Sequence, residues 1–363
     1  MKRRAFIRSA GVGMTGAALA APAIAQSPPQ IRWRMASSFP KSLDTLYGTA
    51  EMIAGRVSRL TEGRFEIRVF AAGEIVPALQ VFDAVQNGTV ECGQTASYYY
   101  IGKNPALAFD TALPFGMNAR QQNAWMYHGG GLQLTRELFS AYNIVNFPCG
   151  NTGTQMAGWY RKEIRSVTDL KGLKMRVAGL AGQILQRLGV VPQQIGGGEI
   201  YAALEKGTID AAEWVGPYDD EKLGFHKVAK YYYYPGWWEG SAQLSLYVNA
   251  KQFASLPRPY QEALEVACVE ANINMLARYD ARNTEALRKL VGAGAQLRAF
   301  PRSVMEACYK VAQDIYAELG AKSPEFKKIY ASWDPFRDNQ YLWFRVAENT
   351  FDNFVYSIRK PTK

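Results

Sequence analysis

Apolar residues dominate Ile31 to Ala36, and Ser37-Ser38-Phe39-Pro40 turns the chain, so a buried strand is predicted there. A helical pattern runs from about Leu43 to Leu60. Thr61-Glu62-Gly63 ends it, with Gly63 free to take a left-handed cap. Phe65 to Phe70 alternates apolar and polar residues and reads as a second strand. Strand, helix, strand with short joints is the unit of a parallel α/β sheet. Further on, Leu173-Lys174-Met175-Arg176-Val177 alternates again, with Lys174 and Arg176 on one face, and Thr208 to Val215 reads as another strand. Pro257 to Val291 is one long helical pattern with Ser255 as its N-cap, broken by Gly292 and Gly294. A short strand (Gln296 to Phe300), a helix from about Ser303 and a final helix from about Asn339 to Ile358 complete the pattern.

A weak repeat lies across these elements. Ala84-Val85-Gln86-Asn87-Gly88-Thr89-Val90-Glu91 matches Ala203-Leu204-Glu205-Lys206-Gly207-Thr208-Ile209-Asp210, each a helix end, a capping glycine and a short strand. Their separation is far too long for a solenoid period. Either the chain holds two similar α/β lobes, or two ordinary helix–glycine–strand joints coincide.

The N-terminus changes the picture. Lys2-Arg3-Arg4-Ala5-Phe6-Ile7-Arg8 is a basic opening; a small-residue apolar run follows, and Pro22-Ala23-Ile24-Ala25 closes it before Gln26. Those are the parts of a cleavable signal peptide over residues 1–25, and the paired arginines point to the twin-arginine route. The apolar run is short of the roughly 20 residues a membrane span needs. A periplasmic mature chain starting near Gln26 is expected, long enough for about two domains. Residues 26–150 are assigned mainly to lobe 1 and 151–240 mainly to lobe 2. Residues 241–363 are assigned to returning strands, the long helix and C-terminal helices packing on both lobes. The net charge of +10 loses Lys2, Arg3, Arg4 and Arg8 with the leader, and the remaining charges are interleaved in sign, which leaves no nucleic-acid footprint.

Cys92, Cys149, Cys268 and Cys308 form no C-x-x-C, so zinc, iron–sulfur and c-haem signatures are absent. Cys268 and Cys308 both sit on predicted helices and could pair; four buried thiols are the alternative. Gly11-Val12-Gly13-Met14-Thr15-Gly16 matches the dinucleotide pattern but lies in the leader with no strand before it. His128-Gly129-Gly130-Gly131 resembles an esterase oxyanion loop, but no G-x-S-x-G supplies a nucleophile. His128 and His226 are the only histidines and lack ligand-spaced partners. What remains is polar and aromatic: Cys149-Gly150-Asn151-Thr152-Gly153-Thr154-Gln155, Arg176, Glu213 at a strand's carboxyl end, and Pro235-Gly236-Trp237-Trp238-Glu239-Gly240. An arginine on a central strand needs an anion, either a ligand or a surface salt-bridge partner.

Together these segments resemble the substrate-binding proteins of tripartite ATP-independent periplasmic (TRAP) transporters, in particular the branch binding 2-oxo acids such as pyruvate. The resemblance covers nearly the whole mature chain. It is carried by Ala36-Ser37-Ser38-Phe39-Pro40, Ala72-Gly73-Glu74, Asn87-Gly88-Thr89-Val90-Glu91, Leu173 to Val177 and Ala203 to Asp210. Glu213-Trp214-Val215-Gly216-Pro217-Tyr218-Asp219-Asp220 and Gly236 to Gly240 narrow the branch. It implies an α/β, two-lobed periplasmic binding protein with hinge segments and a long helix spanning both lobes. By this resemblance Arg176 holds the ligand carboxylate, as a planar guanidinium makes two parallel hydrogen bonds. A cation, Na⁺ or alternatively Ca²⁺, bridges protein and ligand through the side-chain oxygen of Gln155, the Glu213 carboxylate and the Trp214 carbonyl, with Glu239 as a fourth ligand. These are hard oxygen donors. Tyr100 and Asn151 are candidates for the other polar contacts, and Phe39, Phe115, Trp214 and Trp237 for apolar walls. The partners implied are a membrane permease and a second copy docked through the long helix Pro257 to Val291.

Two other readings compete. An exported enzyme acting on a small carboxylic acid would need a nucleophile–base pair or a base of suitable pKa, and the sequence offers a clamp instead. A receptor for an ATP-driven importer would share the two-lobed shape but not the run of motifs.

Overall fold

The computed structural model describes residues 29–358, so the predicted leader lies outside the described residues. Among the described residues, eleven strands form two sheets. The first contains β1 (Ile31–Ser37), β2 (Phe65–Phe70), β3 (Cys92–Thr95), β4 (Ile144–Asn151) and β10 (Gln243–Asn249), in the order β2-β1-β3-β10-β4. The second contains β5 (Gly158–Tyr160), β6 (Lys174–Arg176), β7 (Val191–Gln193), β8 (Ala211–Ala212), β9 (Tyr231–Tyr234) and β11 (Gln296–Ala299), in the order β11-β9-β5-β8-β6-β7. β1 pairs in parallel with both β2 and β3, while β10 runs antiparallel between β3 and β4. The chain passes from the first sheet to the second between β4 and β5, returns between β9 and β10, and crosses again between β10 and β11.

The repeat read from the sequence is structural. Helix Val81–Gln86 ends before Gly88 (φ 73°), and helix Ile200–Glu205 before Gly207 (φ 71°). Positive φ is the conformation glycine adopts without a Cβ penalty. In each copy the next threonine N–H bonds back into the helix, Thr89 to Ala84 O (2.8 Å) and Thr208 to Ala203 O (3.0 Å). Each copy's acid then accepts a backbone N–H from the neighbouring strand: Arg34 donates to Glu91 Oε2 (2.7 Å) and Lys174 to Asp210 Oδ2 (3.0 Å). The following strands lie parallel to their partners, β3 on β1 and β8 on β6. The chain therefore builds one unit twice, once per sheet.

The helix Arg258–Gly292 binds the halves together. It packs on β4 and on helix Leu46–Leu60 beside the first sheet, and on helix Pro217–Leu223 beside the second. Its buried side includes Leu264, Ala267, Cys268, Ala271, Met275 and Tyr279. Ser255 is not its N-cap: Ser255 ends a separate helix, Ala250–Ser255, and Pro257 precedes the long one with no side-chain cap. The predicted final helix is also redrawn. One helix spans Pro324–Val346 with Pro335 inside it, and a second spans Glu348–Ile358. All four cysteines are free and buried, so Cys268 and Cys308 are not paired.

Candidate functional site

Arg176 ends β6, and its neighbour across the ladder is Ala212 on β8. Lys174 and Arg176 share a face of β6, but Lys174 is exposed at its start, whereas Arg176 is buried (1% exposed) where the strands end. Glu213 directly follows β8 and is fully buried. Arg176 and Glu213 thus meet because two adjacent parallel strands end at the same level, where α/β sheets gather ligands.

Nη1 of Arg176 donates to Glu213 O (2.9 Å) and to Glu213 Oε1, and Nε donates to Ile195 O (3.2 Å). The guanidinium lies over the Trp214 ring, 4.9 Å from its centroid. Ala178 N–H also donates to Glu213 Oε1 (3.2 Å). Fixed on several sides, the guanidinium fork cannot reorient freely. The other Glu213 oxygen, Oε2, is buried without a hydrogen-bond partner. So are Gln155 Oε1 and Glu239 Oε2. Gln155 and Glu239 lie on the β4–β5 and β9–β10 joints between the sheets, and Gln155 N–H donates to Glu239 O (3.2 Å).

Burial pushes the carboxyls of both Glu213 and Glu239 above the usual range, and the negative charge of Glu213 pushes Glu239 further. Arg176 opposes the shift at each. One guanidinium and two buried carboxylates leave an excess negative charge, which is costly in a water-poor site. Orphaned buried oxygens each lose their solvation without recovering it. Among the described residues no group of three or more His, Cys, Asp and Glu side chains is placed to hold a metal. Any cation here would rest on at most two carboxylates and on neutral oxygens, a donor set that fits Na⁺ or Ca²⁺ and not a transition metal.

Beside this cluster is a narrow cavity of only about 10 Å³. Arg176, Gln155 and Thr152 give it polar atoms; Phe39, Tyr98, Tyr99 and Trp214 close it. Phe39 and Trp214 meet edge to face across it, centroids 6.4 Å apart. The structure thus brings together Arg176, Gln155, Glu213, Trp214, Glu239 and Phe39. Asn151 is buried at the end of β4, with Oδ1 accepting from Gly153 N–H (2.9 Å) and Nδ2 unpartnered. Tyr100 is not in the cavity. Its hydroxyl pairs with Thr95 Oγ1 (2.8 Å) and accepts from Phe82 N–H (3.3 Å) inside the first half. The 3-10 turn Ser97–Tyr100 places Tyr98 and Tyr99 at the cavity instead. Phe115 and Trp237 stack on each other, centroids 5.0 Å apart, and do not line it.

Two α/β halves built on a repeated unit, crossed by three joining segments, with a buried arginine–carboxylate cluster at the strand ends between them, are the architecture of a two-lobed solute-binding protein. Residues 36–323 match the family described as bacterial extracellular solute-binding protein, family 7, and the chain belongs to it. It is similar to the monocarboxylate 2-oxoacid-binding periplasmic protein of Nostoc sp., with 52% identity over 98% of this chain and 100% of that one. A TRAP transporter solute-binding protein of Bordetella bronchiseptica, described as a mixed-occupancy dimer with copurified calcium and picolinate in one site, shares 60% identity. Its TM-score is 0.90, over 91% of this chain and 98% of that one. A counterpart from Pseudoalteromonas atlantica with bound sodium and pyruvate shares 40% identity at a TM-score of 0.87, over 89% and 99%. The resemblance and the fold class read from the sequence are borne out.

Proposed function

We propose that this protein is a periplasmic receptor for a small 2-oxo monocarboxylate, which it delivers to a TRAP permease, and that it catalyses no reaction. The observation that carries this reading is the pairing of buried Arg176 with three orphaned buried oxygens, on Gln155, Glu213 and Glu239, beside a small cavity. Arg176 receives the ligand carboxylate. Gln155 Oε1, the Glu213 carboxylate and the Trp214 carbonyl hold a cation, with Glu239 as a further ligand. The cation supplies positive charge to both the carboxylate and the 2-oxo oxygen, which favours 2-oxo acids over plain carboxylates. A monoanion, Arg176 and Glu213 leave one negative charge, which Na⁺ cancels; with Glu239 ionised as well, Ca²⁺ balances better. The similar proteins that carry sodium with pyruvate or calcium with picolinate support this reading. Asn151 Nδ2 supplies a further donor, and Tyr98 and Tyr99 take the place assigned to Tyr100. Residues 26–150 and the returning strand β10 make lobe 1, residues 151–240 make most of lobe 2, and the basic N-terminus is a twin-arginine leader.

We further infer a homodimer. The long helix exposes Val266, Val269 and Ile273, at helical spacing, and the C-terminal helix exposes Phe351, Phe354, Tyr356 and Ile358. Apolar patches of this kind mark interaction sites. The dimer contact is therefore extended from Pro257–Val291 to include the C-terminal helix.

A thermal-shift panel of 2-oxo, 2-hydroxy and plain carboxylates, with Na⁺, with Ca²⁺ and with chelator, tests the receptor. A ligand at 100 times its Kd should add about 2.7 kcal/mol of stability. Only 2-oxo acids should do so, and only with the cation. Arg176→Ala should abolish the shift; an equal shift in that variant, or one indifferent to cation and chelator, refutes the assigned site.

A further inference from the structure

A polar junction behind the ligand cavity wall joins the two halves. Asp44 and Thr45 stand immediately before helix Leu46–Leu60 of the first half. Tyr218, Asp219 and Lys222 lie on helix Pro217–Leu223 of the second. Thr45 Oγ1 donates to Asp219 Oδ1 (2.7 Å), and both residues are fully buried. Tyr218 OH donates to Asp44 Oδ2 (3.0 Å), and Lys222 forms an ion pair with Asp44. Successive residues of the long helix brace the two sides. Arg278 Nη1 donates to Asp44 O (2.7 Å) and pairs with its carboxylate, while Tyr279 OH donates to Asp219 Oδ2 (2.7 Å).

We propose that this junction is a closure latch: the Asp44–Thr45 corner of one lobe docks on Tyr218, Asp219 and Lys222 of the other, and the docked state holds the cavity shut around its ligand. Three features point this way. Every cross-lobe bond in it is between side chains, so it can part without breaking a sheet or a helix. Each lobe contributes an acceptor that the opposite lobe satisfies, so opening orphans groups on both sides until water reaches them. Asp219 lies five residues beyond Trp214 on the same short segment, so ligand capture and latch assembly place one segment against the same opposite lobe. The latch rests on the receptor reading only for its purpose, and not for its geometry.

A ligand's apparent affinity falls with the population of the state that binds it. The test uses Thr45→Val and Tyr218→Phe, each removing one hydroxyl that crosses the seam and neither touching the cavity. Closure is read by small-angle X-ray scattering, with and without saturating pyruvate and calcium. Pyruvate affinity is read by calorimetry. The latch predicts a more expanded particle in both variants under whichever condition compacts the wild type. It also predicts a pyruvate Kd raised about tenfold, with the ligand-free Tm nearly unchanged. The proposal is overturned by variants that compact like the wild type, by a Tm loss that accounts for the weaker binding, or by a wild type that never compacts. A wild type that compacts but gives no pyruvate heat counts against the 2-oxo-acid reading and leaves the latch to be judged by scattering alone.

Discussion

Arg176 and Glu213 show how a single side chain's environment becomes chemistry. Their charges are buried together at the strand ends, where each must be balanced by the other. Asp110 shows the same physics in a structural role. It is fully buried in the first half, held by Ser97, by Ser245 (2.7 Å) and by Asn146 (2.8 Å), with no cation beside it. Burial raises its pKa to about 6. The unfolded chain therefore releases this proton at lower pH than the folded protein does. Its stabilising contribution is full below about pH 4 and is lost as pH rises through about 6. Asp110→Asn keeps the neutral shape, and the two hydroxyls can turn to accept. The variant should lose less stability than the wild type between pH 4 and pH 7, by on the order of 3 kcal/mol, in denaturant melts across that range. Identical pH slopes would show that Asp110 is already ionised without cost. At this scale alternation put Lys174 and Arg176 on one face of a strand, and Glu213 fell at the carboxyl end of the next, and the structure brings Arg176 and Glu213 together. Tyr100 was misplaced because three tyrosines in a row sit on a 3-10 turn, where neither strand nor α-helix periodicity says which ring faces the cavity.

At the scale of elements, long periodic segments were readable and their ends were not. β2 and the long helix follow their patterns closely. The last helices do not, because Pro335 reads as a breaker yet lies inside Pro324–Val346. The strand read over Thr208 to Val215 shrinks to the two residues of β8, the stretch that pairs with β6 and β5. One element boundary carries a sharp constraint. A Cβ on Gly197, in the turn before helix Ile200–Glu205, would stand 2.3 Å from the Trp214 ring. That ring cannot retreat easily, with Arg176 over its face and Phe39 at its edge. Gly197→Ala should displace the indole, lower Tm by about 1–3 kcal/mol equivalent and weaken pyruvate binding about tenfold. Calorimetry with wild-type affinity in that variant would show that the turn yields instead.

For the whole molecule, exposed apolar surface is the feature that solubility alone does not explain. Phe351 and Phe354 are 66% and 63% exposed on the C-terminal helix, and Ile273 is 63% exposed on the long one. If the proposed dimer forms through this surface, replacing both phenylalanines by serine should convert it to monomer in sedimentation at micromolar concentration, with pyruvate affinity retained. A monomeric wild type, or a dimer untouched by the double substitution, would remove this surface from the interface.

The repeated unit has a consequence for how such a receptor can change. Superposing the two copies by their strand pairing sets Gln94 where Glu213 stands and Ala36 where Arg176 stands. Gln94 is content, accepting from Ser37 Oγ (2.8 Å) and donating to Leu46 O (2.8 Å), while Glu213 keeps an oxygen free. One copy thus carries the buried ion pair, while the half built on its twin lines the cavity with Phe39, Leu46, Ala96, Tyr98 and Tyr99. On the proposed function, the charged contacts sit on one copy and much of the cavity wall on the other. Variation in the wall can retune the length of the side chain admitted and leave the ionic half untouched, which gives a natural or directed lineage a way to move from one acid to a longer one in single steps.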